Sequence, residues 1–558
     1  MRTPPWGALG GAETLGSAAA GRARTALVGW WPAGWIVCAA LSLLWFAGTA
    51  WLRPLALPDE GRYVGVAHEM LASGHWWVPT LNGMPLFHKP PLFYWITAAS
   101  MHWFGSSVES ARAASLLAAV VTVTGLYAFV RRWVGASQAR TTALVLATMP
   151  LFYGGAQYAN LDMLVAACVS AAILLVAHAT LTREAGGGHR RWLAMAFGAA
   201  ALGVLAKGLI GVVLPVLVLL GWGVFTGRTT RLLALLVWAP GLVLFTCVAA
   251  PWFVAMQSRF PGFDHYFFVV QHFQRFAATG FNNVQPWWFY PAVLLALSLP
   301  WSPWLIVWFR PGRARPEDPH GLRRLMRVWC AVVVVFFSLP SSKLVGYILP
   351  ALAPLACLIA DAMRCAELRR GSPHPAPARM FTPGTARRAS AWAAAVVCIV
   401  AVVFAHFYQP KSMQVLAQRL QAGRSAGEPV VFLGNYYYDV PFYAGLTGPV
   451  TVLDRWAPDE VAHDSWRAEL VDAGRFAPDR ASALLKRGDG VARLACAANG
   501  AWLMGPWPPR QEFAGFLPLV PVQVHGAVAL WHLVPPPGAA GRSPCIVAPI
   551  LPPHVSHP

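Results

Sequence analysis

Charged side chains are scarce in this sequence. Only 12% of its 558 residues are Asp, Glu, Lys or Arg, whereas a soluble domain carries about a quarter. Hydrophobic residues make up 57% of the chain, and the mean hydropathy is +0.49. A water-soluble fold cannot bury so many apolar side chains. The composition therefore excludes a soluble protein and predicts a chain that crosses a membrane many times.

Lysine is scarce as well, and common metal-binding and nucleotide-sugar motifs are missing. Only five lysines occur among 43 basic residues, and the nine cysteines form no CxxC pair. No DxD sequence is present, so nothing indicates a nucleotide-diphosphate sugar donor. The net charge of +20 comes from clusters between apolar runs and not from one basic stripe. This distribution follows the positive-inside rule and excludes nucleic acid as a partner.

Long apolar runs organise residues 26–408 into a predicted transmembrane domain. The first run, 26–52, is too long for a cleaved signal peptide and predicts a signal anchor, preceded by a disordered cytoplasmic segment, 1–25. Ten further runs predict spans at 109–130, 141–157, 162–182, 192–206, 209–226, 232–255, 288–309, 328–340, 344–362 and 390–408. The sequence thus favours a mainly α, polytopic helical bundle of about 11–13 spans.

Arginine clusters set the expected orientation. They recur on one side of the alternating spans, which is the cytoplasmic side by the positive-inside rule. Loops 53–108 and 256–287, and residues 409–558, then lie in the periplasm of a bacterial inner membrane. Strand-like runs at 429–434 and 449–454 predict that 409–558 forms a small α/β domain with a Pro-rich tail. A disulfide between Cys496 and Cys545 is one possibility for this domain.

Three of the five lysines fall in outer loops or turns: Lys89, Lys207 and Lys343. This placement runs against the charge bias of such loops, and each lysine alone could be an interfacial anchor. Together they favour a shared site for an anionic head group. The first outer loop also carries Asp59 and Glu60 at the start of a predicted amphipathic helix, where they could serve only as N-terminal caps.

The same loop carries a specific resemblance. Its sequence DEGRY…HEMLASGHWWVPTLNGMPLFHKPPLFYW resembles the first periplasmic loop of the lipid A aminoarabinose transferases. These enzymes and the protein O-mannosyltransferases form part of the GT-C class of lipid-sugar-dependent glycosyltransferases. Further similar segments follow in the same order, namely Asn160-Leu161-Asp162, Ala206-Lys207-Gly208, QHFQRF at 271–276, PWWFY at 286–290, SSKLVGYILPALAPLA at 341–356 and NYYYDVPFYAG at 435–445.

The resemblance implies a glycosyltransferase that takes its sugar, best assigned as 4-amino-4-deoxy-L-arabinose, from undecaprenyl phosphate by single displacement with inversion. The acceptor would be lipid A or another periplasmic molecule, and the enzyme would act as a monomer, with polymyxin resistance as its consequence. It assigns catalytic roles to Asp59 and Asp162 and donor-phosphate binding to Lys89, Lys207, Lys343 and Arg62. It places four residues in the substrate pocket: Glu60, Tyr63, Tyr347 and Arg275.

This chain departs from the family at three positions. His88 stands where these families usually have Glu, Leu86 where an aromatic residue is frequent, and Gln271-His272 where Glu-His is usual. In aminoarabinose transferases the loop Glu and the later His can share a metal ion. His88 and His272 could bind zinc as imidazole ligands, although the transfer itself requires no cofactor. The departures leave the sugar and the acceptor open.

Two other readings stay open. A protein or polysaccharide glycosyltransferase with the same type of donor would have the same outer cations. A flippase or other transporter of lipid-linked sugars would be expected to show internal repeats and broken helices at mid-membrane. The sequence shows no such repeat, and its polar residues gather at one face, which favours an enzyme.

Overall fold

The fold is a helical bundle followed by a small mixed sheet. The computed structural model describes residues 33–274, 283–309, 317–368, 383–408, 411–457, 460–461, 465–487, 500–514, 517 and 520–533. The helices up to residue 259 are α1 Ala33–Ala47, α2 Asp59–Ser73, α3 Leu92–Phe104, α4 Val108–Ala111, α5 Ala113–Trp133, α6 Ala136–Thr148, α7 Pro150–Ala156, α8 Leu161–Glu184, α9 Arg190–Lys207, α10 Ile210–Thr226, α11 Thr229–Leu236 and α12 Ala239–Arg259.

The second half of the bundle contains shorter and irregular helices. A π-helical segment, His265–Gln274, follows α12. The remaining elements are α13 Phe289–Ala296, a 3₁₀ segment Ser302–Phe309, α14 Leu322–Ser338, a 3₁₀ segment Val345–Ala351, α15 Leu352–Leu368 and α16 Pro383–Phe407. In the described part of the chain, five helical segments are long and apolar enough to cross a membrane: Ala113–Trp133, Leu161–Glu184, Ala239–Arg259, Val345–Leu368 and Gly384–Phe407. The predicted class, a polytopic helical bundle, is confirmed.

Proline explains why some predicted spans are divided. Each predicted apolar run overlaps a helical segment, but run 141–157 is split at Met149, before Pro150. Run 288–309 contains α13 and a 3₁₀ segment on either side of Pro300. A proline lacks the backbone N–H that would continue the helical hydrogen-bond ladder, so the run divides there. Hydrophobicity predicts the length of an apolar run but not whether that run forms one helix or two.

The helix α8 lies at the centre of the bundle. In its most apolar window 78% of the residues are buried inside the protein, compared with 22% for α12 and 17% for α16. The helices α12 and α16 therefore expose their apolar side chains to lipid, while α8 is surrounded by other helices. Its first turn, which contains Asp162, is consequently held in a fixed position.

The first outer loop folds into a helix and a hairpin. The helix α2 ends at Gly74, whose φ of 69° closes the last turn. The hairpin pairs β1 (Thr80–Leu81) with β2 (Met84–Pro85) through Asn82 and Gly83, which have φ values of 54° and 73°. Two consecutive positive φ angles are typical of a tight hairpin turn, and Asn-Gly is the preferred sequence for it.

The C-terminal part contains the predicted α/β structure. Its helices are α17 Gln414–Gly423, α18 Val440–Tyr443, α19 Trp466–Gly474, α20 Pro478–Leu484 and α21 Gln511–Ala514. In the described residues one sheet has the strand order β5-β4-β3-β6-β8-β7, and its strands are β3 Val430–Leu433, β4 Thr451–Leu453, β5 Leu485–Lys486, β6 Ala501–Pro506, β7 Gln523–His525 and β8 Val528–Leu533. The first four strands in that order run parallel, and β8 is antiparallel to both of its neighbours.

The C-terminal domain packs directly against the first outer loop. A Cβ atom added to Gly61 on α2 would lie 3.0 Å from the Tyr438 Cβ atom, and one added to Gly65 would lie 3.3 Å from the Tyr438 carbonyl oxygen. These two glycines let the backbones approach closely. At the hairpin, Asn82 donates to the Val450 carbonyl oxygen at 2.9 Å and accepts from the Val450 N–H at 2.7 Å.

Some predictions fall outside the described residues. They concern the N-terminal segment 1–25, the Pro-rich tail after 534, Arg275, and the pair Cys496 and Cys545. These predictions are therefore not tested by the structure.

Candidate donor site

The start of α2 places a carboxylate and a guanidinium side by side. Asp59 is the first residue of the helix, and Arg62 lies three residues later on the same face. Arg62 Nη2 donates to Asp59 Oδ1 at 2.5 Å, and the guanidinium carbon lies 4.9 Å from the centre of the Tyr63 ring. The half-buried Asp59 is thus ion-paired as well as placed where it could cap a helix.

Glu60 points away from this pair into a fully buried ionic cluster. Its carboxylate accepts from Arg112 Nε at 2.9 Å and Nη2 at 3.1 Å, and from Arg53. The backbone N–H groups of Ala56 and Ala159 donate to it as well, each at 2.7 Å. Burial would raise the pKa of Glu60, but the two guanidinium groups lower it to about 2. Glu60 therefore fixes the loop to the bundle and has no exposed surface for a substrate.

A second ion pair forms between the start of α8 and the end of α9. The Asn160 side chain caps α8 by accepting from the Asp162 N–H at 3.0 Å. The carboxylate of Asp162 accepts a hydrogen bond from Lys207 Nζ at the end of α9. The same Nζ lies 4.2 Å from the centre of the Tyr347 ring, in a cation–π contact. Three residues that are distant in sequence thus meet at one point.

The two ion pairs belong to one electrostatic site. The pKa of Asp59 is raised, first by burial, and the neighbouring carboxylates of Asp162 and Glu469 raise it further. Arg62 and Lys207 act in the opposite direction. The site thus combines three carboxylates with two cations, and an anionic group could bind beside those cations.

The other two lysines lie at different places. Lys343 is buried, and its Nζ donates to the Gln285 carbonyl oxygen at 2.8 Å. Its backbone N–H donates to the Asn283 carbonyl oxygen at 3.0 Å. Lys89 is half-buried in the turn before α3. Lys343 therefore connects the segment after residue 283 to the residues just before the 3₁₀ segment Val345–Ala351. The phosphate-binding role of Lys343 and Lys89 stays a prediction.

His88 contacts the C-terminal domain. Its Nε2 atom lies 3.5 Å from Asp472 Oδ2, which also accepts from the Tyr266 hydroxyl at 3.0 Å. The Gln271 side chain donates to the same hydroxyl at 2.9 Å. Burial alone would raise the pKa of Asp472, but His88 and Arg475 hold it below its usual value. His88 and Gln271, two positions at which this chain departs from the family that it resembles, are thus linked through Asp472 and the Tyr266 hydroxyl.

Zinc binding at His88 and His272 stays a prediction. Among the described side chains, no three His, Cys, Asp or Glu residues converge as a metal site. The side chain of His272 lies outside the described residues. His88 and Asp472 could supply an imidazole and a carboxylate, which suit zinc, but a stable site needs at least three protein ligands.

The sequence did not indicate two carboxylates of α19. Glu469 accepts from Arg62 and from the Tyr438 hydroxyl, the latter at 2.5 Å, and Asp472 makes the contacts described above. Both residues lie about 400 positions after the loop that they contact. Their spacing of three on a short helix is the one available signal, and it is equally typical of a solvated helix face.

Comparisons with known proteins show what the chain is similar to. Residues 88–254 match the family model described as dolichyl-phosphate-mannose-protein mannosyltransferase. The undecaprenyl phosphate-alpha-4-amino-4-deoxy-L-arabinose arabinosyl transferase of Erwinia tasmaniensis is 35% identical over 323 residues, which cover 55% of each chain. A relative of the same description from Sodalis glossinidius is 35% identical over 337 residues, 59% of each chain. The chain thus spans somewhat more than half the length of these relatives.

The solved structure of ArnT from Cupriavidus metallidurans bound to undecaprenyl phosphate superposes with a TM-score of 0.72. The alignment covers 91% of this chain and 99% of that one, at 23% identity. The chain carries the ArnT fold. Together with the sequence relatives, this likeness supports the resemblance to aminoarabinose transferases that the first outer loop carries.

Gly346, in the turn before Tyr347, is expected to be essential to the shape of the Asp162 site. A Cβ atom at this position would lie 2.4 Å from Asp162 Oδ2, so Gly346→Ala must displace the carboxylate that holds Lys207. We expect turnover to fall by about 10²-fold, as misplaced catalytic groups typically cause. Gly125→Ala is the matched control, because nothing lies within 4 Å of its Cβ atom on α5. Equal activity of both variants in a sugar-transfer assay would contradict the expectation.

Proposed function

We propose that this chain is a glycosyltransferase that moves 4-amino-4-deoxy-L-arabinose from undecaprenyl phosphate to lipid A. The observation that supports it most is that the Asp59–Arg62 pair lies within electrostatic range of Asp162 and Lys207, in a chain with the ArnT fold. Relatives named as arabinosyl transferases support the sugar, and an ArnT structure with undecaprenyl phosphate supports the donor.

The proposed reaction is a direct displacement. An oxygen atom of the acceptor forms a bond to the anomeric carbon of the sugar while the bond from that carbon to the phosphate oxygen breaks. Undecaprenyl phosphate leaves with the electron pair of that bond. The leaving oxygen gains negative charge, and the ammonium group of Lys207 is suited to stabilise it. Asp162 and the Tyr347 ring hold this ammonium in place.

Asp59 has the properties of the group that acts on the acceptor. Its burial and its two carboxylate neighbours raise its pKa, which makes the ionised form a better proton acceptor. With a hydroxyl acceptor, Asp59 would take the proton as the new bond forms. A phosphate group of lipid A is already ionised, and Asp59 would then position Arg62 and balance its charge.

Protein glycosylation is the second candidate. The match of residues 88–254 to a protein mannosyltransferase model supports it, because that segment contains Lys89, Asp162 and Lys207. Mass spectrometry of lipid A from cells with and without the gene separates the candidates. A gain of one pentosamine supports the proposed function. Unchanged lipid A together with newly glycosylated envelope protein would replace it with the second candidate.

The proposed reaction requires the site to face the periplasm of a bacterial inner membrane. The arginine clusters support this orientation, since Arg183, Arg190 and Arg191 lie at the other ends of α8 and α9, the helices that carry Asp162 and Lys207. Alkaline phosphatase fused after residue 533 is expected to be active, and green fluorescent protein fused there is expected to be dark. A fluorescent fusion with an inactive phosphatase would contradict the orientation.

A further inference from the structure

One helix of the C-terminal domain faces the donor site with two carboxylates. The helix α19 is capped by Ser465, whose hydroxyl accepts from the Ala468 N–H at 3.2 Å. Glu469 and Asp472 lie three residues apart and therefore project from the same face. The first bonds to Arg62 on α2, and the second lies beside His88 in the following loop. The helix thus forms a wall of the site.

Arg62 is bound by carboxylates on both sides. Its Nη2 donates to Asp59, and its Nη1 donates to Glu469. The Tyr63 ring covers one face of the guanidinium, and the Nε atom is buried without a hydrogen-bond partner among the described residues. Both Nη atoms are thus engaged by carboxylates, and a donor phosphate would have to share Arg62 with them. This geometry suits a residue that holds Asp59 better than one that binds phosphate.

We propose that Glu469 is a positioning residue of the donor site, which fixes the Arg62 guanidinium and through it the carboxylate of Asp59. This assignment rests on the proposed function and adds the C-terminal domain to the reaction machinery. A second anchor prevents the long Arg62 side chain from rotating away with Asp59, since a bidentate or doubly bonded guanidinium has a defined orientation. The Tyr438 hydroxyl fixes Glu469 in turn.

Charge balance gives Glu469 a second effect on the same residue. Arg62 lowers the pKa of Asp59, whereas Glu469 raises it. Sharing one guanidinium between two carboxylates therefore leaves Asp59 more basic than a simple one-to-one ion pair would. Glu469→Gln keeps an oxygen that accepts from Arg62 but removes the negative charge. The acidic limb of the pH profile of kcat/KM is expected to move to lower pH in this variant.

A double-mutant cycle in the purified full chain tests the assignment. Undecaprenyl-phosphate-linked aminoarabinose and lipid A serve as substrates, and the product is measured by mass spectrometry. For Glu469→Ala we expect kcat to fall by about 10–100-fold, with the KM for the donor changed less than about threefold. In an Arg62→Ala background, the same substitution should have almost no further effect, because its target is already absent.

Glu512→Ala is the matched control. Glu512 also pairs with arginines in the C-terminal domain, namely Arg455 at 3.2 Å and Arg510 at 3.6 Å. We expect this variant to keep the wild-type kcat and pH profile. A fully active Glu469→Ala enzyme, or an equal loss in both backgrounds accompanied by a lower melting temperature, would overturn the positioning role alone. A wild-type chain that transfers no sugar would instead overturn the proposed function.

Discussion

Asp59→Asn is expected to lower turnover by about 10²–10⁴-fold while binding of undecaprenyl phosphate survives. The amide keeps the shape of the side chain and can still accept from Arg62 Nη2, so the local fold should persist. It carries no negative charge, so it can neither take up a proton from a hydroxyl acceptor nor balance the charge of Arg62 when the acceptor is a phosphate. The loss should therefore appear in kcat and in kcat/KM equally, as for an interaction made in the transition state.

The measurement compares sugar transfer with the binding of undecaprenyl phosphate, followed by its quenching of tryptophan fluorescence. Asp264→Asn is the control, because Asp264 is an exposed carboxylate between α12 and the π-helical segment. The control is expected to behave like the wild type in both assays. Wild-type turnover of Asp59→Asn would show that Asp59 is a helix cap only.

Arg112→Ala should produce the largest loss of stability. Arg112 is completely buried and donates to Glu60 and to the carbonyl oxygens of Ala50, Arg53 and Pro54. Removing one partner of a buried ion pair typically costs about 3–5 kcal/mol, because the other charge stays buried without compensation. Arg53 still pairs with Glu60, which places the expected loss toward the lower end of that range.

Thermal unfolding in detergent gives the measurement for Arg112→Ala. Arg131→Ala, near the end of the helix α5 that Arg112 precedes, is the control. Arg131 is half-exposed, and its described hydrogen bond goes to the Tyr127 hydroxyl at 3.1 Å. The control should change stability by less than about 1 kcal/mol. A similar melting temperature for both variants would mean that the buried cluster does not hold the outer loop to the bundle.

The pH dependence of the stability that this cluster contributes follows from the direction in which the pKa of Glu60 is shifted. Glu60 has a pKa of about 2 in the folded protein, below its ordinary value of 4.5. The stability that its ionisation contributes is therefore present above pH 4.5 and is lost as the pH falls toward 2. The cluster should consequently stay intact at every pH above about 4.5.

Hydrophobic patterning and local motifs predicted much of the fold from the sequence. Each apolar run became helical because lipid and neighbouring helices both favour a chain that satisfies its own backbone hydrogen bonds. The strand-like runs PVVFLG and PVTVLD became β3 and β4 because both are rich in β-branched residues and are bounded by Gly or Pro. The start of α2 followed from Asp59 and Glu60, which occupy its first turn.

The partners of each charged residue could not be predicted in the same way. Asp59 and Glu60 are adjacent in sequence, yet one lies at the site and the other in a closed ionic cluster, because they project about 100° apart around the helix. Likewise, Lys207 and Lys343 both border apolar runs in the sequence. In the structure Lys207 bonds to a carboxylate, whereas the described bond of the Lys343 ammonium goes to a backbone carbonyl oxygen. Such differences depend on helix rotation and packing, which hydropathy does not encode.

The helix α19, which contacts the first outer loop, is translated after all the membrane helices. All the membrane helices up to α16 precede Glu469 and Asp472, so a ribosome that stops early can release a fully inserted bundle with an open donor site. In that product Arg62 would keep Asp59 but lack its second anchor, and His88 would face solvent. We therefore expect chains cut short by premature stop codons after residue 408 to insert normally and to be inactive. Under the proposed function, the chain would therefore gain activity only when its C-terminal part has been translated.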